Sequence, residues 1–351
     1  MSGLMEITQP GFGTTVQDRG RHGHRHEGVP LAGWLDQPLA DAANALVGNP
    51  PGAAVLELRG QGTVLTMRRG PVRVALTGAI SANIQRGNDS VQPLLPWQSA
   101  TLQNADQLHL GLARTGCAYL ALAGGCLVEP QLGSRASYWR AGLHGLLGRP
   151  LQTGDLLPCG QWSTADMLER RAAPPYSTGS HAIRVVLGPQ HDHFSPEVVQ
   201  RFLTQPWQTS TAQDRMGMRL QGQALTHCDA AAADIVSDGT TPGAIQVPAN
   251  GLPIVLLADS QTVGGYPKIA TVIRADLPRL AHAVPGTTLH FEAVTLQQAG
   301  AALRQQQTGW ASWLATLEPF VPAGYLDDGA LYRDNLISGV LRADPLYGDM
   351  T

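Results

Sequence analysis

The sequence predicts a mainly β protein, a barrel or sandwich interrupted by a few helices, on three observations. Forty glycines and 25 prolines punctuate 351 residues, which favours short strands joined by turns over long helices. Short apolar runs recur along the chain. Turn signals such as Asn250-Gly251 separate them, and they do not alternate with long helical patterns as βαβ repeats would.

In chain order, Asp36 is placed to cap a helix carrying Leu39, Ala42, Ala43, Leu46 and Val47, with Pro38 in its first turn and Gly48 ending it. Strands are predicted at Val72–Gly78, Gln107–Ala113 and Cys117–Ala123, each an apolar run of strand length. A further strand is predicted at Ile183–Leu187. Ser195-Pro196-Glu197 then opens a second helix with Val198, Val199, Phe202 and Leu203 on one face. Pro253–Ala258, Ile269–Ile273 and Thr288–Val294 read as strands, and Thr295 with Gln298 forms a capping box for a helix running toward Thr316. The length suggests two domains: a β-rich domain over 1–165, a linker over 166–180 around Arg170-Arg171-Ala-Ala-Pro-Pro, a second domain over 181–300, and a C-terminal helix and tail over 301–351.

A hydrophobic fraction of 43% with 15% charged residues fits a globular chain with a full core. Net charge is −3 and arginine is scattered, which argues against a nucleic-acid partner. No apolar stretch approaches the ~20 residues of a membrane span, and no basic segment followed by an apolar run opens the chain, so a cytoplasmic location is expected. Cys117, Cys126, Cys159 and Cys228 show no metal-ligand spacing and are expected to be reduced core thiols. His22, His24 and His26 alternate as if on one strand face, and His191 and His193 repeat the spacing. Without an accompanying acidic ligand pattern, no metal site is assigned.

One lysine, Lys268, stands among 24 basic residues. A guanidinium cannot be deprotonated in a protein, whereas an ammonium is a compact charge whose pKa responds to burial. A position that keeps lysine in an arginine-rich chain invites a functional reading, and codon bias is the bland alternative. Lys268 closes a polar segment with Gln246, Asp259, Gln261, Thr262 and Tyr266, around glycine-rich loops flanking an apolar strand. Two amides, a cation and a carboxylate form a set able to read a ureido or lactam group and meet its negative charge. A hairpin with a surface salt bridge is the alternative. Thr14–Arg21, Gly124–Tyr138 and Asp214–Gly217 are further polar, glycine-containing stretches that either line a site or make well-bonded turns.

The order of motifs resembles a known family. Thr14-Thr15-Val16-Gln17-Asp18-x-Gly20-Arg21, Gly28-Val29-Pro30, Ala43-Asn44-x-Leu46-Val47-Gly48-Asn49, Leu56-Glu57, Leu76-Thr77-Gly78-Ala79, Gly124-Gly125 and Gly133-Ser134-Arg135 carry its N-terminal half. Gly188-Pro189-Gln190, Asp214-Arg215-Met216-Gly217, Gly243-Ala244-Ile245-Gln246-Val247-Pro248, Asp259-x-Gln261-Thr262-x-Gly264-Gly265-Tyr266-Pro267-Lys268 and Asn335-Leu336-Ile337-Ser338-Gly339 carry the C-terminal half. The chain resembles the C-type, or KipA-like, component of 5-oxoprolinase, a family similar to half of the carboxyltransferase domain of urea carboxylase. Asp238, Ser260 and His144 stand where relatives often carry Glu, Arg and Gly, so a cation beside the site is missing here.

The resemblance implies two cyclophilin-like β-barrel domains and a role within an ATP-dependent 5-oxoprolinase, which opens a lactam to glutamate. It implies two partners, a KipI-like component and a LamB/YcsF-like third component, with ATP used at the level of the complex. No biotinylation context is present, so biotin is not expected on this chain. Within that reading Lys268 supplies the cation or orients the substrate carboxylate, Asp259 holds Lys268, and Tyr266 donates a hydrogen bond. Gln246 and Gln261 read the lactam amide, with Thr262, Arg215, Thr15, Gln17 and Asp18 as further substrate-binding residues. Half of a biotin-dependent carboxyltransferase, and a KipA-type regulator that sequesters a KipI-like kinase inhibitor, are the alternatives.

Overall fold

The computed structural model describes residues 2–60, 62–143, 145, 146, 148–160, 169–174 and 182–320. Strands dominate. A six-stranded sheet runs in the order Leu156–Pro158, Leu4–Gln9, Val64–Arg69, Gln107–Leu110, Ala82–Gln85, Val91–Leu94. A seven-stranded sheet runs Thr15–Gln17, Val55–Leu58, Ala118–Leu122, Val72–Thr77, Gln98–Leu102, Glu169–Arg171, Glu318–Phe320. The third, eight-stranded sheet runs Thr288–Leu289, Trp207–Gln213, Gly217–Gln221, Ile254–Leu256, Ala244–Gln246, Lys268–Val272, Ile183–Leu187, Phe291–Ala293.

The eight-stranded sheet curls almost into a barrel, for a reason visible in its edges. Thr288–Leu289 pairs with Trp207–Gln213 at one edge, while Phe291–Ala293 pairs in parallel with Ile183–Leu187 at the other. Only His290 separates the two segments, so one short stretch of chain draws opposite edges together and leaves little open ladder. The run expected as a single strand over Thr288–Val294 is therefore split between the two edges. The other predicted strands lie where expected, trimmed by a residue or more at their ends except for Ile183–Leu187, which matches; the one predicted from Ile269 begins at Lys268.

Both faces of the central strand Ala118–Leu122 are buried, which explains its continuous apolar run. Ala118, Leu120 and Leu122 point into a core shared with Met5, Ile7, Leu65 and Leu76. Tyr119 and Ala121 point the other way, into a core shared with Leu46, Phe202, Trp207, Val255 and Ile269. This second core joins residues from both halves of the chain. Phe202 stacks on Phe291 with ring centroids 4.9 Å apart, fastening the helix Pro196–Thr204 to the barrel closure.

The helix signals act as expected. Asp36 accepts from the Leu39 N–H at 2.9 Å, Ser195 caps the helix beginning at Pro196, and both halves of the Thr295/Gln298 capping box form on Leu296–Leu314. Within the expected linker, Glu169–Arg171 is a strand of the seven-stranded sheet. Residues 166–168 and 175–180 of that segment lie outside the described residues, as do His144 and the Asn335–Gly339 motif. Cys117, Cys126 and Cys159 are buried free thiols; Cys228 is exposed, a correction to its expected place in the core.

Candidate functional site

Lys268 opens the strand Lys268–Val272, directly across from Gln246 at a register shift between Ile245 and Gln246. The ammonium is almost sealed, with a side chain 5% exposed, and its carboxylate partner is Asp238, 55% exposed, with Nζ to Oδ2 at 2.8 Å. Gln190 braces both residues: its Oε1 accepts from the Lys268 backbone N–H at 3.2 Å, and its Nε2 donates to Asp238 Oδ2 at 3.4 Å. The side-chain hydrogen bond from Lys268, with the Gly239 N–H adding to it, holds the Asp238 carboxyl below its usual range. An ammonium has three donors. Among the described residues one of them has an acceptor.

Asp259 does not hold Lys268, which corrects the sequence expectation. Its two oxygens accept from Arg215 Nε at 3.0 Å and Nη2 at 2.9 Å, a planar fork on a carboxylate. The same guanidinium reaches Glu57 Oε1 through Nη1 and the Gly33 carbonyl through Nη2. Arg215 is expected from the sequence to bind substrate; instead four hydrogen bonds commit it to the protein. Burial opposes its charge, yet Asp259 and Glu57 outweigh that and keep it above its usual range. Burial pushes the Asp259 carboxyl up, against the pull of Arg215, and the Glu57 and Asp214 charges add to the rise. Gly33 has φ +81°, and a Cβ there would stand 2.7 Å from the Asp18 carbonyl, so only glycine lets this loop present its carbonyl to Arg215.

The two glutamines meet, but mostly each other. Gln261 Nε2 donates to Gln246 Oε1 at 3.2 Å, and Gln246 Nε2 donates to the Tyr266 carbonyl at 3.3 Å. Tyr266 is half exposed beside them and Thr262 is buried, its carbonyl accepting from Thr240 N–H at 3.0 Å. Ser260, the residue before Gln261, is fully buried with a hydroxyl that has no partner among the described residues.

Thr15 and Gln17, on the strand Thr15–Gln17, and Asp18 after it bond to one another, to Gly20 and to the 134–137 segment rather than gathering at Lys268. Gln17 Nε2 donates to Thr15 Oγ1 at 3.0 Å, and Asp18 accepts from Gly20 N–H, Ser134 Oγ and Arg135 N–H. This loop nonetheless reaches the other half: Arg25 Nη2 donates to the Thr240 carbonyl at 2.7 Å and the Gln261 carbonyl at 3.3 Å, and Ala32 N–H donates to the Ala258 carbonyl at 3.0 Å. His22, His24 and His26 share no strand face, because Arg25–Glu27 is a 3₁₀ turn and His24 pairs with Glu27 at 2.8 Å. Among the described residues, no three or more His, Cys, Asp or Glu side chains are grouped to hold a metal ion, and no helix is long and apolar enough to cross a membrane.

Glu57 and Gln190 lie in motifs quoted from the sequence, and Asp238 is one of its departures from relatives, but neither they nor Arg25 are singled out there as site residues. Glu57 leaves a trace, since it interrupts the apolar strand Val55–Leu58 and is fully buried. Its Oε2 accepts from Tyr119 Oη at 2.7 Å, and Tyr119 in turn accepts from Asp36 N–H at 2.8 Å. Asp36 Oδ2 meets His282 Nε2 at 2.8 Å, and His282 Nδ1 lies 2.9 Å from the Thr115 carbonyl. A buried polar chain therefore runs from Asp259 to His282 across the junction of the halves.

Burial alone lowers the His282 pKa, but the Asp36 hydrogen bond and charge raise it above its ordinary 6.5. A folded-state pKa above the unfolded one means that this contact stabilises fully below pH 6.5 and is lost as pH rises through the raised value. Thermal unfolding is expected to show a falling Tm over that rise, and His282→Gln removes this component of the slope. An unchanged slope in the variant would show that the pair carries no pH-linked stability.

Residues 27–293 match the family model described as carboxyltransferase domain, subdomain A and B. The chain is 39% identical over 306 residues to the C-type component of 5-oxoprolinase from Escherichia coli strain K12, covering 87% of this chain and 96% of that protein. It is similar to the solved structure of TTHA0988, with TM-score 0.72 and 32% identity over 83% of this chain and 56% of that one. It is also similar to the Kluyveromyces lactis urea carboxylase, with TM-score 0.78 and 26% identity over 88% of this chain and 29% of that protein. The chain thus spans about half, and under a third, of those two solved proteins. The mainly β architecture, the motif order and these similarities agree: the chain belongs to the family of carboxyltransferase domains, subdomains A and B.

Proposed function

We propose that this chain is the C-type component of a 5-oxoprolinase and that Lys268 meets negative charge on the lactam substrate. The observation that carries this reading is a nearly sealed ammonium with one protein acceptor among the described residues, leaving donors for a substrate carboxylate or for the oxyanion that develops at the carbonyl. Similarity to the E. coli 5-oxoprolinase component supports the substrate class. Gln246 and Gln261 orient one another beside the ammonium, and Gln261 keeps amide capacity for the lactam. Tyr266 rims the site, and Asp259 acts through Arg215 by fixing the loop that carries Gln261.

The reaction is hydrolysis of the ring amide, with water adding to the carbonyl and the ring nitrogen leaving as an amine. ATP is consumed by the assembly, with a KipI-like and a LamB/YcsF-like protein as partners. Among the described residues, the three longer helices open on Asp36, Ser195 and Thr295 caps rather than on the glycine-rich loops that cradle a triphosphate. Co-expression of all three components is expected to yield glutamate release and ATP hydrolysis that depend on 5-oxoproline. A complete assembly inert toward 5-oxoproline would overturn the reading. The likeness to urea carboxylase favours a second reading, half of a biotin-dependent carboxyltransferase, whose sign is consumption of carboxybiotin from a separate carrier.

A further inference from the structure

The ion pair at Lys268 is lopsided. The cation is buried on a strand of the barrel, whereas its carboxylate hangs from a two-stranded ribbon, Asp238–Gly239 with Val263–Gly264, that belongs to none of the three large sheets. Isolated two-stranded ribbons are marginal in water. This one is tied down by a few bonds, among them Arg25 to the Thr240 carbonyl and Ile235 N–H to the Gly265 carbonyl at 2.8 Å. Its surroundings are solvated: Val236, two residues before the ribbon, is 93% exposed, and Val263 within it is exposed.

The donors that hold Asp238 do not depend on it. Gln190 Oε1 anchors the Lys268 backbone, so the strand end stays in place if the carboxylate leaves. One Asp238 oxygen, Oδ2, takes both Lys268 Nζ and Gln190 Nε2, while Oδ1 accepts from its own neighbour, Gly239 N–H, at 2.7 Å. Removal of Asp238 would thus expose two donors, a cation and an amide, converging on the position of one carboxylate oxygen.

We infer that Asp238 is an exchangeable placeholder: its carboxylate occupies the position on Lys268 and Gln190 that a small carboxylate ligand takes, and the ribbon moves aside as the ligand enters. This rests on the reading of Lys268 as the cation for substrate, and it makes Asp238 a determinant of affinity for carboxylates. The competition has a defined sign. A partly exposed ion pair of this kind is worth a factor of about two to five in an equilibrium, so its loss tightens carboxylate binding by that factor.

Lys268 being the one lysine of the chain makes the exchange directly measurable. In the full-length protein, acylation of the Lys268 amine by a soluble ester reagent is followed by peptide mass, and protection is titrated with 5-oxoproline, acetate and 2-pyrrolidinone. Asp238→Asn is expected to lower the apparent dissociation constants of 5-oxoproline and acetate about two- to fivefold, with Asp238→Glu restoring the parental values. 2-Pyrrolidinone, a lactam without a carboxylate, should give the same result in parent and variant. Unchanged or weaker carboxylate protection in Asp238→Asn, or no carboxylate protection in either protein, overturns the placeholder. Neither outcome touches the oxoprolinase reading, which stands or falls on glutamate release by the assembly.

Discussion

Lys268→Ala is expected to lower turnover of 5-oxoproline by the reconstituted assembly by about 10²–10³-fold, the usual effect of deleting one preorganised donor to a developing oxyanion. The physical reason lies in the burial of the ammonium. Inside the barrel wall its charge is poorly screened, so it interacts more strongly with an incoming anion than a surface lysine could. Lys268→Arg should not restore the rate, because a planar fork is larger than an ammonium and points its donors differently. The space is confined: Gln246 lies across the ladder from Lys268, whose side chain is almost wholly buried. Steady-state glutamate release, with co-purification of every component as the check on assembly, measures this. Full activity in an intact Lys268→Ala assembly would remove Lys268 from the chemistry.

Arg215→Ala is expected to destabilise the fold by roughly 3–5 kcal/mol, the cost of breaking a buried ion pair from one side. Without the guanidinium, Asp259 and the fully buried Glu57 face each other with no cation between them, and the Gly33 carbonyl loses its donor. Such a loss is a large share of the ~5–15 kcal/mol that holds a domain folded. Arg215→Lys should recover little, since one ammonium cannot copy a fork spanning two carboxylates. Denaturant unfolding reads the effect, and a change below about 1 kcal/mol would show that the triad is a surface-like pairing. Glu57→Gln, which removes one of the two competing carboxylate charges, should cost less than Arg215→Ala.

Several strands, the helix caps and family membership were legible in the chain because each is written in neighbouring residues. Asp36, Ser195 and Thr295 cap helices through bonds to residues three positions on, and strand runs such as Ile183–Leu187 carry their own burial pattern. Lys268 was legible as an exception to the chain's own arginine usage. Its true partner was not. Asp259 is nine residues from Lys268 and Asp238 is thirty, yet the ribbon pairing Asp238 with Gly264 brings the more distant carboxylate to the ammonium. Proximity in sequence misassigned the pair.

Composition and local order therefore determined, by themselves, that the chain is mainly β, where its three longer helices and a minority of its strands lie, and which lysine to watch. The tertiary structure alone decided which charges meet. Arg215 gathers Glu57 from 158 positions away, and Asp36 meets His282 across 246. Long-range pairings of this kind depend on which sheet edges close and which faces pack. No short stretch of sequence encodes that, because the free energy that selects it is summed over the whole core.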